Sequence, residues 1–293
     1  MKKLKYTMKN IRKITKATAA ILVLTVILSL LHYARRALLF DSFIVNGISM
    51  EPVLHSGDKV WVNKLKMGAR IYTDYDFTKP TLSSFRLPGF SRVNAGDIVV
   101  VNYPYALSKD TIMFKINYVY LKRCYGAPGD TVRIVGGYYV HPQSGGRIGN
   151  LTYQKELSET PDSVLAEEGV VLRAMQNKVL GWTIRDFGPL YVPRRGDTVN
   201  IDIDNYRIWR KPVLFETGKR LFLRDGQVFL GDDPVTSYTF LSSWYFLGGD
   251  NVLDSRDSRY IGLFPESYII GIVSGYLAHE GARYGVVNAG EKS

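Results

Sequence analysis

The chain of 293 residues has room for one large domain or two modest ones, and with 46% hydrophobic and 22% charged residues it can bury a real core. Its formal net charge of +11 invites a nucleic-acid partner, but the distribution of that charge argues against one. Lys2, Lys3, Lys5, Lys9, Arg12, Lys13 and Lys16 precede an apolar span, Arg35 and Arg36 follow it, and no acidic residue occurs before Asp41; without these nine of the 38 basic residues, 29 face 27 acidic ones.

The apolar span runs from Ala17 to Leu31, with His32, Tyr33 and Ala34 at its end. It is short for a crossing of roughly 20 residues, but Tyr33 and the stems of Arg35 and Arg36 can reach the interface. We read 1–16 as a basic cytoplasmic segment and 17–36 as a transmembrane anchor, because the basic excess lies before the span. A cleaved leader has the same profile. Arg35-Arg36 directly after the core, where small residues would precede a cleavage site, favours a retained anchor. The rest of the chain would then lie outside, with no second span after Ser274.

Gly-Asp followed by an alternating apolar run occurs four times, at Gly57-Asp58, Gly96-Asp97, Gly129-Asp130 and Gly196-Asp197. Each reads as a turn that launches a strand. Val132–Val135 and Tyr138–Val140 flank Gly136-Gly137, and Leu221–Arg224 and Gln227–Leu230 flank Asp225-Gly226, as in two hairpins. The fold class is therefore mainly β: an antiparallel β-sheet core over 41–130 and 241–277, an inserted β-rich subdomain over 131–240, and a tail over 278–293. Ser163 to Lys178 is the least β-like run and reads as a helix interrupted by Gly169. Arg70 to Val93, with Pro80, Pro88 and Gly89, reads as a surface loop.

The lone Cys124 lies in a strand-like run and reads as buried packing. His32, His55, His141 and His279 lack metal-ligand spacing, so no metal or other cofactor is expected. His55, six residues past Ser49, is a weak candidate base, since a loop histidine so near needs a special turn to face the serine. Lys122 is different. A period of two puts Tyr118, Tyr120, Lys122 and Cys124 on one strand face, aromatic and apolar, with no acid in the strand to hold an ammonium charged. A lysine dried this way can drop far below its free pKa and serve as a base. Ser49, in Gly47-Ile48-Ser49-Met50-Glu51-Pro52, sits beside a proline-fixed turn and needs such a base to become a nucleophile. Taken alone, each is more often a surface lysine or a turn serine.

Four segments in order change those odds. Val45 to Leu54, with its Ser-Met-x-Pro-x-Leu core, resembles the nucleophile segment of type I signal peptidases, the Ser–Lys serine protease family in its bacterial form. Asn94 to Val100 with Pro104, Lys122-Arg123 to Pro128-Gly129-Asp130, and Gly249 to Arg259 are similar to the boxes that follow it. The resemblance implies Ser49 as nucleophile, Lys122 as general base, Ser255 as a hydroxyl that orients the lysine amine, and the Ser49 backbone N–H in the oxyanion hole. Asp257 and Arg259 would brace the site, with Arg123 structural too. Phe43 and Val45 match positions that line shallow pockets for small side chains, and Leu121 flanks the base. Some members carry a second oxyanion donor two residues before the nucleophile; here Gly47 supplies none. Val252 and Leu253 replace a charged pair in the last box. A Ca²⁺ loop built from Asp250, Asp254 and Asp257 is disfavoured by Arg256 and Arg259 inside it. Met50 and Val53 read equally well as lipid-facing or core.

By resemblance, then, the chain is a serine endopeptidase of the bacterial inner (cytoplasmic) membrane that removes signal peptides from exported preproteins. Its partners would be those preproteins and the lipid bilayer, with no nucleic acid and no obligate protein partner. A specialised maturation peptidase of the same superfamily, or an inactive anchored β-rich binding protein, are the alternatives.

Overall fold

The computed structural model describes residues 2–76, 78–81, 83–175, 179–279 and 284–286, with 2–12 and 286 described by backbone alone. The chain opens with one long helix, α1 (Lys2–Leu38). Its stretch Lys13–Leu38 is long and apolar enough to cross a membrane, and its apolar window is not buried by the rest of the chain. Twenty-six residues rise about 39 Å, more than the ~30 Å hydrocarbon layer. Only Leu39 separates α1 from the first strand, β1 (Phe40–Ile44). Lys64 Nζ donates to the Arg36 carbonyl at 2.7 Å and to Asp41 at 3.3 Å, while Arg36 Nε donates to the same carboxylate at 3.0 Å. Lys64 thus satisfies an orphan carbonyl at the helix C-terminus.

The strands follow as β2 (Lys59–Asn63), β3 (Arg70–Tyr72), β4 (Ser84–Arg86), β5 (Ile98–Asn102), β6 (Val119–Gly126), β7 (Thr131–Val135) and β8 (Tyr138–Val140). Then come α2 (Leu151–Glu159), α3 (Asp162–Glu167), β9 (Phe187–Tyr191), β10 (Thr198–Asn200), α4 (Tyr206–Thr217), β11 (Leu221–Arg224), β12 (Gln227–Leu230), β13 (Asp233–Pro234) and β14 (Ser237–Thr239). The chain closes with β15 (Trp244–Gly248), α5 (Ser258–Ile261), β16 (Phe264–Pro265), β17 (Ile269–Leu277) and β18 (Tyr284–Val286). The main sheet runs β1-β2-β17-β5-β6-β15-β16, with β18 also on β17, and every pair in it is antiparallel. Register shifts in β15 and β17 strengthen its twist and curl it. Both faces are covered. Ile98 and Val100 enter one apolar cluster with Val45, Met50, Val60, Val62 and Leu121, while Val99 and Val101 enter the larger cluster on the other side.

All four Gly-Asp pairs launch strands, β2, β5, β7 and β10, by one device. Each glycine has φ between +89° and +101°, a region costly to other residues. Each aspartate accepts the N–H three residues earlier, from His55, Asn94, Ala127 and Arg194, at 2.8–2.9 Å. Both expected hairpins form, as β7–β8 and β11–β12.

Three departures concern helices and loops. The helix expected over Ser163 to Lys178 is confined to α3, which starts after Pro161 and ends at Glu167, just before Gly169 (φ +84°), while α2 lies before the expected run; residues 176–178 lie outside the described residues. The segment 131–240 also carries α4, which places Trp209 and Val213 in the core despite Pro212 in its interior. Arg70 to Val93, expected as a loop, holds the β3–β4 hairpin, from which Arg70 and Arg86 reach the carbonyls of Ser267 and Ile269. Of the tail 278–293, only 278–279 and 284–286 are among the described residues.

Candidate active site

Ser49 and Lys122 meet. Lys122 Nζ donates to Ser49 Oγ at 2.6 Å. The lysine comes from the middle of β6, where neighbours on both sides pin its backbone: Val99 of β5 is its register partner, and β15 pairs at Arg123 and Cys124. Its side chain is 2% exposed, and its amine lies 5.3 Å from the Tyr120 ring centre. Tyr120 is itself stacked on Tyr103 at 4.5 Å. No carboxylate forms a salt bridge with Lys122 among the described residues. Burial therefore lowers its pKa to about 8, with Asp257 opposing the fall and Arg259 adding to it.

Ser49 opens a tight turn after β1. Glu51 N–H bonds the Ile48 carbonyl at 3.1 Å, and Val53 and Leu54 N–H bond that of Met50. Met50 and Leu54 anchor the turn in the core, so Met50 is a core residue and not a lipid contact; Val53 packs against the same cluster. The loop after β15 clamps the turn from the other side. Asn251 N–H donates to the Ser49 carbonyl at 3.2 Å, and Asn251 Nδ2 to the Ile48 carbonyl at 3.4 Å. Gly249 fits between: a Cβ there would lie 2.4 Å from both the Ser49 carbonyl oxygen and Ser255 Oγ. The Ser49 N–H itself has no acceptor among the described residues.

Two buried ion pairs frame this loop. Asp257 and Arg259, both fully buried, pair through two bonds of 2.9 and 2.8 Å. Asp257 also accepts from the Gly249 N–H, and Arg259 donates to the Val252 carbonyl at 2.8 Å. Burial pushes the Asp257 carboxyl up, but Arg259 outweighs it and holds it below its ordinary value. Arg123 grips Asp250 through bonds of 2.6 and 2.7 Å and reaches the Gly96 carbonyl. Asp250 and Asp257 are thus committed to guanidiniums, and no group of three or more His, Cys, Asp or Glu side chains converges among the described residues.

Ser255 lies beside this arrangement, buried, but its Oγ has no hydrogen-bond partner. The bond expected from it to the lysine amine is not made; its hydroxyl only helps lower the Asp257 carboxyl, short of hydrogen-bond geometry. His55 is exposed and turned toward Asp58, 4.0 Å away. Cys124 is fully buried, and burial raises its thiol well above the ordinary value, which leaves it inert. Sequence reasoning gave no role to Asn251 and none to Asp250 beyond a disfavoured cation loop. A buried arginine at position 123 demanded an acid, and the Gly-Asp-Asn of the last box was the place to look for it.

A groove of about 890 Å³ passes over the pair. Phe43, Val45 and Leu121 line it together with Ser49 and Lys122. β1 lies at the edge of the main sheet, and among the described residues it pairs with β2 alone.

The family model described as signal peptidase, peptidase S26, matches residues 16–180 and 195–277. Among curated proteins, the chain is 25% identical over 249 residues to a signal peptidase I of Pseudomonas aeruginosa, which covers 80% of this chain and 64% of that protein, less than two thirds of its length. It is 26% identical over 239 residues to a signal peptidase I of Bacillus amyloliquefaciens (80% of this chain, 72% of that protein). It is 27% identical over 253 residues to signal peptidase I T of Bacillus subtilis (85% and 78%). The matched segments hold the Ser49 turn, the Lys122 strand and the loop that clamps them, and the chain belongs to the signal peptidase family, peptidase S26.

Proposed function

We propose that this protein is a membrane-anchored serine endopeptidase that removes signal peptides from exported preproteins, with Ser49 as nucleophile and Lys122 as general base. One observation carries the reading: a dry amine 2.6 Å from a hydroxyl, at the floor of an open groove. With its pKa near 8, roughly a tenth of the amine is neutral at pH 7. In that form Nζ accepts the Ser49 proton while Oγ attacks the scissile carbonyl carbon. The Ser49 N–H, which has no acceptor among the described residues, is left to donate to the oxyanion that forms. The ammonium then returns its proton to the leaving amine, and a water deprotonated by the same lysine releases the acyl group.

The free edge of β1 supports substrate binding by strand addition, with Phe43, Val45 and Leu121 beneath small side chains before the cut. Asp257, Arg259 and Arg123 act as structural supports. Ser255 orients the lysine only once a substrate draws the two together. α1 serves as the anchor, with its N-terminus in the cytoplasm and the β core on the far side of the bacterial inner membrane, and 131–240 is an inserted subdomain. The test is cleavage of a preprotein with alanines at the first and third positions before the cut. Ser49→Ala and Lys122→Arg should each lose at least about a thousandfold in kcat/KM, arginine being unable to supply a neutral nitrogen. Parental turnover from either variant would refute the assignment.

A further inference from the structure

Arg256 belongs to two clefts. It lines the Ser49–Lys122 groove, and it also lines a second cleft of about 660 Å³ between α4 and the 105–110 loop. Six cations open into the second cleft: Lys109, Arg207, Arg210, Lys211, Arg220 and Arg256. Asp110 is the one carboxylate in its lining among the described residues. None of the six forms a salt bridge among the described residues, whereas the nearby Lys219 pairs with Asp233. Surface arginines and lysines on an ordinary solvated face are spread out or paired; here they converge on one concavity, where low-dielectric walls focus their potential. Lys211 shows the consequence. Its ammonium lies 4.4 Å from the Tyr105 ring centre. Burial lowers its pKa, Asp110 opposes this, and Arg210 and Arg256 lower it further.

The cleft takes no residue from α1, β1 or β2, the elements nearest the anchor, which disfavours a lipid headgroup as its ligand. The side chain of Arg256, shared by its lining and that of the Ser49 groove, favours a polypeptide lying across both. Residues before the cut would lie along β1, so the chain that continues past Arg256 is the part after it. We propose that this cleft binds acidic side chains of the mature segment just downstream of the scissile bond, giving the enzyme a preference for substrates with an acidic mature start. This rests on the signal peptidase reading above.

The test compares peptides that share one cleavage site and differ only downstream, carrying an Asp-Glu pair or a Ser-Gln pair stepped along the first eight or so mature positions. Full-length protein in neutral detergent should cleave the acidic peptide roughly three- to tenfold better in kcat/KM at its best position, with the advantage lost in high salt. Arg207→Glu/Arg210→Glu, both exposed on α4 and away from Ser49, should abolish or invert that preference and leave the neutral peptide's rate unchanged. Equal acidic-to-neutral ratios in parent and variant would overturn the proposal while leaving the peptidase reading intact. Failure to cut even the neutral peptide would overturn both. If charge reversal lowers all rates alike, and only in vesicles with anionic lipid, the cleft is a lipid contact and the proposal is wrong.

Discussion

Lys122→Met should destroy activity and yet stabilise the protein near neutral pH. The buried amine has a pKa of about 8, against an ordinary 10.5. Forcing the proton onto it in the folded state therefore costs about 3 kcal/mol below pH 8. The sign follows from proton counting. Between about pH 8 and 10.5 the unfolded chain binds more protons than the folded one, so stability rises with pH across that window and the penalty is full beneath it. Methionine has a similar length and no charge, and it removes the penalty. It also removes the bond to Ser49 Oγ, which costs about 1 kcal/mol. The net gain is about 2 kcal/mol at pH 6.5, or about 3 °C in Tm for a protein of this size. By pH 10.5 the gain should vanish or turn into a small loss. Thermal unfolding of the full chain in one detergent, followed by near-UV circular dichroism at pH 6.5, 8.5 and 10.5, measures both. Adding Ser49→Ala isolates the hydroxyl's share. A variant less stable than the parent at pH 6.5, or a gap that does not move with pH, would refute the dry-amine argument.

The pH dependence of kcat/KM should rise with a midpoint near 8 as Lys122 loses its proton; a midpoint near 10.5 would mean a solvated amine. Gly249→Ala would put a methyl group 2.4 Å from both the Ser49 carbonyl and Ser255 Oγ, so the nucleophile turn must shift; about a hundredfold loss of turnover is expected, and an unchanged rate in the folded variant would contradict the packing. Asp250→Ala leaves the Arg123 guanidinium buried without its acid and should cost about 3–5 kcal/mol in chemical unfolding. Replacing both partners with leucine and methionine should recover most of that loss, which separates a stranded charge from a lost fold.

Strand starts and hairpins were legible in the sequence because each rests on local chemistry; the Ser49–Lys122 meeting joins residues 73 apart and was legible only through the resemblance of four ordered segments to a known family. A Gly-Asp turn needs only a positive φ and a carboxylate three residues along from the N–H it accepts, and all four copies use it. α4 was not legible. Pro212 reads as a breaker, and the helix tolerates it because Trp209 and Val213 bury one face against the core, a tertiary gain that local pattern does not reveal. α2 had a local signal that went unread: Asn150 caps it by accepting the Thr152 N–H at 2.9 Å. Within the site, the Asp257–Arg259 pair follows from two residues of one turn. Asn251 holding the Ser49 carbonyl does not, since it joins segments about 200 residues apart.

The lowered pKa of Lys122 depends on what its charged neighbours are denied. Asp257, Asp250 and the exposed Asp254 lie near enough to raise it, and either of the first two, left unpaired, would raise it further. Each of those two instead faces a guanidinium, Arg259 or Arg123, at hydrogen-bonding distance. At the amine, the field of Asp257 is answered by that of Arg259, and burial is left as the largest influence. We therefore read the two arginines as more than braces. They keep two carboxylates in the site, one of which accepts the Gly249 N–H, without letting those carboxylates hold the base in its charged form. On this reading Arg259→Met damages catalysis even if the loop survives, because an unanswered Asp257 would push the lysine back toward its ordinary value and move the activity profile to higher pH.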